Sequence, residues 1–224
     1  MTMFKSVLFD LDNTLIDFLT FKKETAKAAA TAMIKQGLPD DEIKVFGKIF
    51  SVYDVKGIEY QKTFYEVVKQ YDLELNLAEK IQQAGILAYL QRKSEILRPY
   101  PMVKPTLRKF RERGIKLGIV SDGPRNKVWQ RLIITGLENE FDFVITHSDT
   151  QEFKPHPSAF TLALKKLGVL PDAVLFVGDN PLRDIKGAKA VGMRTCLAKY
   201  GQTFKSADLA DYEIEKFEDL LRLI

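Results

Sequence analysis

The spacing of hydrophobic positions changes along the chain and predicts different kinds of segment. Phe4–Asp10 carries a nearly continuous apolar run, which is typical of a strand with both faces buried in a parallel sheet. Residues 18–95 contain no convincing strand, and their apolar positions recur at helical spacing, as at Phe46 and Phe50. The helices predicted there span 18–36, 40–55, 60–71 and 77–93. Such amphipathic stripes usually make core contacts, so we interpret this stretch as a helical subdomain.

Strands and helices alternate after the segment 97–101, whose two prolines interrupt any helix. The predicted strands span 116–121, 143–146, 173–177, 194–197 and 212–214, and the predicted helices span 106–113, 127–134, 157–167, 181–191 and 217–223. This alternation indicates an α/β fold with a parallel sheet covered on both faces. With the first strand assigned to the same sheet, the helical stretch is an insertion. The chain then has two domains, an α/β core formed by 1–16 and 97–224 and a helical domain formed by 17–96.

Composition and charge narrow the classes of partner. The chain is 46% hydrophobic and 29% charged, as in an ordinary soluble domain, and its apolar runs are too short to span a membrane. Its 34 basic and 30 acidic residues are spread along the chain and leave a net charge of +4, so we expect no nucleic-acid partner. The single cysteine, Cys196, cannot form an internal disulfide, which favours a reducing environment. We therefore expect a cytoplasmic protein with neither a nucleic-acid nor a membrane partner.

Acidic residues follow two of the predicted strands. Asp10 and Asp12 end the first strand and project to the same side, roughly 6.5–7 Å apart. Asp179 and Asp184 follow the strand at 173–177. Turn and helix-cap aspartates are common at such places. However, ligands of open parallel sheets bind beyond the carboxyl ends of the strands, and two acidic clusters there suit Mg²⁺, which prefers oxygen ligands.

Two further residues fit an anionic substrate. Lys154, in a segment stiffened by Pro155 and Pro157, would supply the counter-charge to the acidic clusters, although an isolated lysine is usually a solvated surface residue. Ser121, at the end of the second strand, would either donate its hydroxyl to a phosphoryl oxygen or cap a helix.

Four motifs occur in an order that resembles the haloacid dehalogenase-like hydrolase superfamily. They are Asp10-x-Asp12-x-Thr14, Ser121 after an apolar strand, Lys154-Pro155, and Gly178-Asp179 followed by Asp184. The helical insertion lies after the first motif, where the superfamily's small-molecule phosphatases carry a helical cap. The resemblance covers nearly the whole chain. It implies a Rossmann-like three-layer α/β/α core with a parallel sheet and an inserted all-helical cap domain.

The resemblance also implies a mechanism. Asp10 would be the nucleophile that forms an aspartyl phosphate, and Asp12 would be the general acid and then the general base. Because the superfamily's dehalogenases lack a second aspartate at this position, Asp12 favours a phosphatase. Mg²⁺ would be held by Asp10, by the backbone carbonyl of Asp12, by Asp179 and, directly or through water, by Asp184.

The phosphoryl group would be bound on the opposite side of the site. The resemblance assigns its oxygens to Lys154 and Ser121, with backbone N–H groups near Asp122 and Gly123. The implied substrate is a small phosphorylated metabolite, and sugar phosphates, phosphoglycolate and glyceraldehyde 3-phosphate are candidates.

Several other residues are weaker candidates for function. In the helical insertion Phe18, Phe21 and Tyr53 are candidates for substrate contact, although packing between helices is the simpler interpretation. His147 follows a strand, and His156 lies between two prolines at a predicted helix start. We interpret Cys196 and Trp129 as structural.

Three other classes of protein share parts of this pattern. A phosphomutase of the same superfamily would differ only in where the phosphoryl group goes. A phospho-receiver signalling module also has strand-end acids around Mg²⁺, but it is much shorter, has no helical insertion and lacks an acid–base aspartate such as Asp12. A dinucleotide-binding module requires Gly-x-Gly-x-x-Gly after the first strand, and residues 10–15 contain no glycine.

Overall fold

A computed structural model describes residues 4–206 and 210–224 and contains a six-stranded sheet. Its strands are β1 (Ser6–Phe9), β2 (Lys116–Ser121), β3 (Phe143–Thr146), β4 (Val174–Gly178), β5 (Arg194–Ala198) and β6 (Tyr212–Ile214). Their order is β3-β2-β1-β4-β5-β6, and every neighbouring pair is parallel. After β1, the strands β2 and β3 are added on one side of it, and β4, β5 and β6 are added on the other side. The topology therefore switches between β1 and β4, the place where open parallel sheets bind ligands.

The helices form two groups along the chain. α1 (Phe18–Lys35), α2 (Glu42–Lys56), α3 (Thr63–Val68) and α4 (Leu75–Ile96) follow β1, whereas α5 (Val103–Glu112), α6 (Arg125–Thr135), α7 (His147–Thr150), α8 (Ser158–Leu167) and α9 (Lys186–Ala190) alternate with the later strands. Shorter elements are 3₁₀ segments at Pro171–Ala173, Lys199–Gly201 and Phe217–Arg222 and a π-helical turn at Pro181–Ile185. No helix within residues 4–206 and 210–224 is long and apolar enough to cross a membrane.

The chain divides into two compact units. The sheet unit comprises the chain up to Phe18 together with the chain from Arg98 onward, and the helical unit comprises Leu19–Leu97. Within the sheet unit, the segments before and after the helical stretch are paired. Ile16 forms an antiparallel bridge with Pro99, and the N–H of Tyr100 donates to the carbonyl of Leu15 over 2.9 Å.

Both faces of the sheet are buried, which explains the unbroken apolar run of β1. On one face Leu8 lies in a cluster with Phe176 of β4 and Phe160 of α8. Phe9, the next residue, points to the other face because side chains alternate along a strand. Its ring centroid there is 5.7 Å from that of Phe217. The residue that follows β1 therefore starts from a strand fixed between two layers.

The helical unit has a hydrophobic core of its own. Met33 of α1, Ile49 of α2, Val67 of α3 and Ile81 of α4 are buried in one cluster. Gly85 of α4 allows Met33 to approach, because a Cβ at that position would stand 2.9 Å from Met33 Cγ.

The six strands and the parallel sheet are confirmed. The short helix α7 was not predicted, and three predicted helices differ from the structure. α3 is shorter than the predicted 60–71, and the predicted last helix is the 3₁₀ segment Phe217–Arg222. The predicted helix at 181–191 begins as a π-helical turn before α9. There the carbonyl of Asn180 accepts the N–H groups of both Asp184 and Ile185, over 2.8 and 3.4 Å, so the first turn is wider than an α-helical one.

Candidate active site

Polar residues lie at the carboxyl ends of three central strands. Asp10 follows β1, Ser121 ends β2 and Asp179 follows β4. The N–H of Asp10 still continues the sheet, since it donates to the carbonyl of Val177 over 2.9 Å. Because β1 lies between β2 and β4, these residues meet at the carboxyl ends of neighbouring parallel strands.

Three of the predicted aspartates form a buried cluster. Asp10, Asp179 and Asp184 are 7%, 5% and 1% exposed. Each offers one carboxylate oxygen, and these oxygens all lie within 4.8 Å of one another. Divalent cations such as Mg²⁺ prefer oxygen ligands of this kind, so the cluster could hold a divalent metal ion.

Lys154 lies against the same cluster. Its Nζ is 2.6 Å from Asp10 Oδ1 and 2.7 Å from Asp184 Oδ1, and it donates to the carbonyl of Val120 over 3.0 Å. The lysine is only 5% exposed. The sequence alone left a solvated surface position open, and the structure instead places this ammonium group between two carboxylates.

The balance of charge in the cluster opposes full ionisation. Burial raises the pKa of Asp10 to about 8; Asp184 and Asp12 add to the shift, and Lys154 reduces it. Burial also raises the pKa of Asp179 to about 9, with further contributions from Asp10 and Asp184. Burial alone would lower the pKa of Lys154, but the charges of Asp10 and Asp184 outweigh burial and raise it. One ammonium group does not offset three carboxylates, so the cluster favours an additional cation.

A tight turn after β4 brings Asp184 into the cluster. A Cβ on Gly178 would stand 2.5 Å from Asp184 Cβ, so only glycine leaves room for this side chain. The N–H of Asn180 donates to Asp184 Oδ2 over 3.0 Å. In return, the Asn180 side chain accepts the N–H of Leu182 over 3.0 Å and starts the following turn.

Asp12 has a different partner. Its Oδ2 accepts a hydrogen bond from an Nη of Arg131 over 2.8 Å, and the arginine is 3% exposed. The sequence prediction missed Arg131. A signal was present, since Arg131 lies in the buried stripe of α6 together with Val128, Leu132 and Thr135. A charged residue in such a stripe indicates a specific partner.

The residues after β2 contact one another and the lysine loop. Ser121 Oγ accepts the N–H of Gly123 over 3.1 Å, which leaves the serine hydroxyl proton for a different acceptor. The Asp122 side chain accepts the backbone N–H of Lys154 over 2.9 Å. Asp122 thus joins the β2 loop to the lysine loop through its carboxylate, a contact that the sequence did not indicate.

The loop after Asp10 is supported from a distant part of the chain. The Tyr200 hydroxyl donates to the carbonyl of Thr14 over 2.7 Å, and the Thr14 hydroxyl donates to Asp179 Oδ1 over 3.3 Å. A Cβ on Gly201 would overlap the carbonyl oxygen of Asn13 and stand 2.7 Å from its carbonyl carbon. These supports join the loop to β4 and to the segment after β5.

The two histidines, the cysteine and the tryptophan have contacts outside the aspartate cluster. His147 stacks on Phe153 with 4.1 Å between ring centroids, and His156 Nδ1 is 2.9 Å from Ser158 Oγ in an exposed position. Cys196 is buried, whereas Trp129 is 38% exposed on α6 and is not a core residue.

The three aromatic candidates from the insertion are buried. Phe21 and Tyr53 lie in the helical unit, where Lys22 Nζ is 5.7 Å from the Phe21 ring centroid and 4.9 Å from that of Tyr53. Phe18 belongs instead to the sheet unit, where its ring faces the Arg131 guanidinium. The expectation that Phe18 packs between helices of the insertion stays a prediction.

The sequence is similar to those of known hydrolases over nearly its whole length. A family profile described as haloacid dehalogenase-like hydrolase matches residues 4–192. The chain belongs to this family. A Pyrococcus abyssi protein named glyceraldehyde 3-phosphate phosphatase is 36% identical over 99% of this chain and 94% of its own length. A Methanocaldococcus jannaschii protein of the same name is 34% identical over 99% of this chain and 97% of its own length.

A solved structure from the haloacid dehalogenase-like family has the same fold. The crystal structure described as a HAD phosphatase from Thermococcus onnurineus is 30% identical to this chain. The superposition has a TM-score of 0.68 and covers 98% of this chain and 97% of that one. The strand-end aspartates of this chain therefore stand on a fold known for hydrolases.

Proposed function

We propose that this haloacid dehalogenase-like hydrolase is a Mg²⁺-dependent phosphatase that hydrolyses a small phosphorylated metabolite through an aspartyl phosphate on Asp10. The observation that carries the proposal is the contact of Lys154 with Asp10, inside a buried cluster that also contains Asp179 and Asp184. A phosphate dianion approaches a carboxylate only where other groups offset the repulsion, and a lysine with a metal ion does this.

The metal would be held by residues of the cluster. We assign it to the carboxylates of Asp10 and Asp179, to the backbone carbonyl of Asp12, and to Asp184 directly or through water. The three buried carboxylate oxygens support the assignment, because Mg²⁺ prefers oxygen ligands and keeps some of its water. When bound, Mg²⁺ supplies positive charge that offsets the charge of the phosphoryl group.

Two aspartates carry out the bond changes. A carboxylate oxygen of Asp10 attacks phosphorus, the bond between phosphorus and the ester oxygen breaks, and the Asp12 carboxyl group gives its proton to the departing oxygen. Asp12, now a carboxylate, then takes a proton from water as the water oxygen attacks phosphorus. This second step releases inorganic phosphate, restores the Asp10 carboxylate and returns the proton to Asp12.

The phosphoryl oxygens would be held by the groups that follow β2 and by Lys154. We assign them to the Lys154 ammonium group, the Ser121 hydroxyl and backbone N–H groups near Asp122 and Gly123. The hydrogen bond of Asp122 to the backbone of Lys154 supports this assignment, since it fixes the two loops relative to each other.

The substrate class follows from the relatives. Both proteins described above are named glyceraldehyde 3-phosphate phosphatase, which makes glyceraldehyde 3-phosphate the first candidate, ahead of phosphoglycolate and the sugar phosphates. We propose residues 17–96 as the cap domain of this fold and residues 1–16 with 97–224 as its core. A cytoplasmic location is proposed as well, because the single cysteine is a buried free thiol.

Replacing the nucleophile tests the activity. We expect Asp10→Asn to lower Mg²⁺-dependent release of phosphate from glyceraldehyde 3-phosphate by more than about 1000-fold, because the amide cannot form the phosphoryl intermediate. Asp172→Asn is the matched control, since Asp172 is exposed and precedes β4, at the end of that strand opposite the carboxyl ends. The measurement is phosphate release with and without Mg²⁺, with circular dichroism to show that both variants are folded.

Three outcomes would contradict the proposal. Phosphate release by folded Asp10→Asn at the wild-type rate would remove Asp10 from the reaction. Transfer of the phosphoryl group between sugar phosphates without release, or a long-lived phosphoryl group on the protein without turnover, would indicate a phosphomutase or a signalling module. A panel of the three candidate substrate classes, assayed with Mg²⁺, separates these outcomes.

A further inference from the structure

Arg131 is a buried cation that points at the proposed acid–base aspartate. It lies on α6 and is 3% exposed, and one of its guanidinium nitrogens donates to Asp12 Oδ2 over 2.8 Å. The side chain of Asp12 is 23% exposed. The arginine is therefore enclosed by the protein, while the side chain of Asp12 that it contacts stays partly exposed.

The guanidinium group occupies a slot formed by two other residues. Its Cζ lies 4.3 Å from the centroid of the Phe18 ring, a distance at which a guanidinium and an aromatic face attract each other. On another side Gly123 leaves room for it, because a Cβ there would stand 3.1 Å from an Arg131 nitrogen. Asp12 and Phe18 lie in the segment of the sheet unit before the helical unit, and Gly123 lies in the segment after it, so the slot holds the arginine against both segments.

A buried ion pair is a weak way to stabilise a fold, since the loss of hydration cancels much of the attraction. An apolar side chain in the stripe of Val128 and Leu132 would fill the same space. A rigid donor that contacts one oxygen of a reacting carboxyl group has a different use, because it fixes the orientation of that group.

We propose that Arg131 is the positioning residue of Asp12, a role that rests on the proposed phosphatase function. By holding Oδ2, the arginine makes Oδ1 the oxygen that exchanges the proton. This works in both halves of the reaction. The carbonyl oxygen of the protonated acid and the oxygen of the carboxylate both accept from a guanidinium N–H, so the same bond holds Asp12 while it gives a proton to the ester oxygen and while it takes one from water.

The leaving group of the substrate separates this role from a purely structural one. An alkyl phosphate such as glycerol 3-phosphate needs a proton on its departing oxygen, whereas 4-nitrophenyl phosphate releases a stable phenolate without one. For Arg131→Met we expect kcat/KM to fall by about 100-fold on the alkyl ester and by only a few fold on the aryl ester. Arg131→Lys should recover part of the loss on the alkyl ester, because an ammonium group still donates a hydrogen bond.

A double variant tests whether Arg131 acts through Asp12. In an Asp12→Asn background, Arg131→Met should cause no further loss on the alkyl ester, since the group that it positions is already absent. Lys127→Met is the matched control, because it removes a positive charge one turn earlier on α6. It should leave kcat/KM on both esters unchanged. If Arg131→Met fails to fold, Phe18→Leu serves instead. It opens one wall of the slot and should give the same preference between esters with a smaller loss.

The possible results lead to different conclusions. Equal losses on both esters, or a further loss in the double variant, would overturn the positioning role while leaving the phosphatase function in place. A wild-type protein that releases phosphate from neither ester, nor from any candidate metabolite, would overturn the proposed function and the positioning role together. A loss confined to the alkyl ester, absent in the Asp12→Asn background, would support the role.

Discussion

Gly201 brings the backbone after β5 into contact with the loop that carries the proposed nucleophile. The hydroxyl of the neighbouring residue, Tyr200, donates a hydrogen bond to the carbonyl of Thr14. The segment therefore packs against the loop and is also hydrogen-bonded to it. A Cβ on Gly201 has no space beside Asn13, and the obstacle is main chain rather than a side chain that could rotate away. The position of the loop therefore depends on the absence of one methyl group.

For this reason we expect Gly201→Ala to displace the loop of residues 11–14. Overpacking should cost about 1–3 kcal/mol, which corresponds to a decrease of several degrees in Tm, and phosphatase activity should fall with it. Gly47→Ala on α2 is the control. Nothing lies within 4 Å of a Cβ there, so this exposed helical position should gain about 0.5–1 kcal/mol. Thermal unfolding measures both, and an unchanged Tm for Gly201→Ala would contradict the argument.

Individual site residues were predictable where a local pattern marks them. Asp10 and Asp179 each follow an apolar strand, and the carboxyl ends of parallel strands meet at one edge. Arg131, Asp122 and Gly201 act through contacts with distant segments. The identity of such a partner depends on the folded chain, so the spacing of residues does not reveal it.

Among the secondary-structure elements, the short helix α3 carries an ionic network centred on Glu66. Glu66 of α3 accepts from the Tyr60 hydroxyl over 2.9 Å and from Lys56 Nζ over 3.3 Å, and it also pairs with Lys69. The hydrogen bond from Lys69 is the largest influence on the pKa of Glu66, and with Tyr60 it lowers that pKa from 4.5 to about 2. The network joins the end of α2 to the six residues of α3.

This shift gives the helical unit a defined response to acid. Because the pKa of Glu66 is lower in the folded chain, its network stabilises the fold above about pH 4.5, and this contribution is lost as the pH falls toward 2. Glu66→Gln should therefore lower Tm at pH 7, and the difference from wild type should shrink as the pH decreases. Glu79→Gln, at an exposed site on α4, should show no such trend. A constant difference from pH 7 to pH 3 would contradict this account.

The limits of the helices could be predicted only where a strong signal marks them. Asp41 caps α2 by accepting the N–H of Lys44, and such a residue is readable from sequence. α3 is shorter than its apolar stripe suggests because Tyr60 lies in a turn, and the Thr63 hydroxyl donates to its carbonyl. The stripe continues through Tyr71, but the helix does not. Hydrophobic periodicity indicates which side is buried more reliably than where a helix ends.

The stability of the entire protein should depend on pH through the three-carboxylate cluster. Without a metal, Asp10 and Asp179 have pKa values of about 8 and 9, well above the 3.8 of an unfolded chain. From pH 3.8 up to these raised pKa values, the folded state binds more protons than the unfolded state. The free energy of unfolding therefore falls as the pH rises through this range. A bound cation offsets the repulsion that opposes ionisation.

We therefore expect Tm of the EDTA-treated protein to decrease between pH 6 and pH 9. Mg²⁺ should raise Tm at every pH in this range, and more at pH 9 than at pH 6, where it must displace protons. Asp179→Asn should reduce both the pH dependence and the effect of Mg²⁺, because it removes one of the two raised groups. A metal-free Tm that rises with pH would show that the cluster does not control stability in this way.

The alternation of strands and helices was sufficient to predict the number of strands and their parallel arrangement. The order β3-β2-β1-β4-β5-β6 was not predicted, because every inner strand is apolar on both faces and its sequence does not select a neighbour. Leu8 and Phe9 illustrate this, since each face of β1 is buried against a different layer.

The pairing of Ile16 with Pro99 also bears on how such a protein could diversify. The chain leaves the sheet unit and returns to it through two segments that are bonded to each other, so the helical unit starts and ends at one junction. Closing a long insertion there adds little entropic cost, because the junction itself fixes the ends. A foreign helical block could be spliced in at Phe18 and Arg98 with the sheet intact. Recombination at this junction would combine one sheet unit with a succession of different helical units.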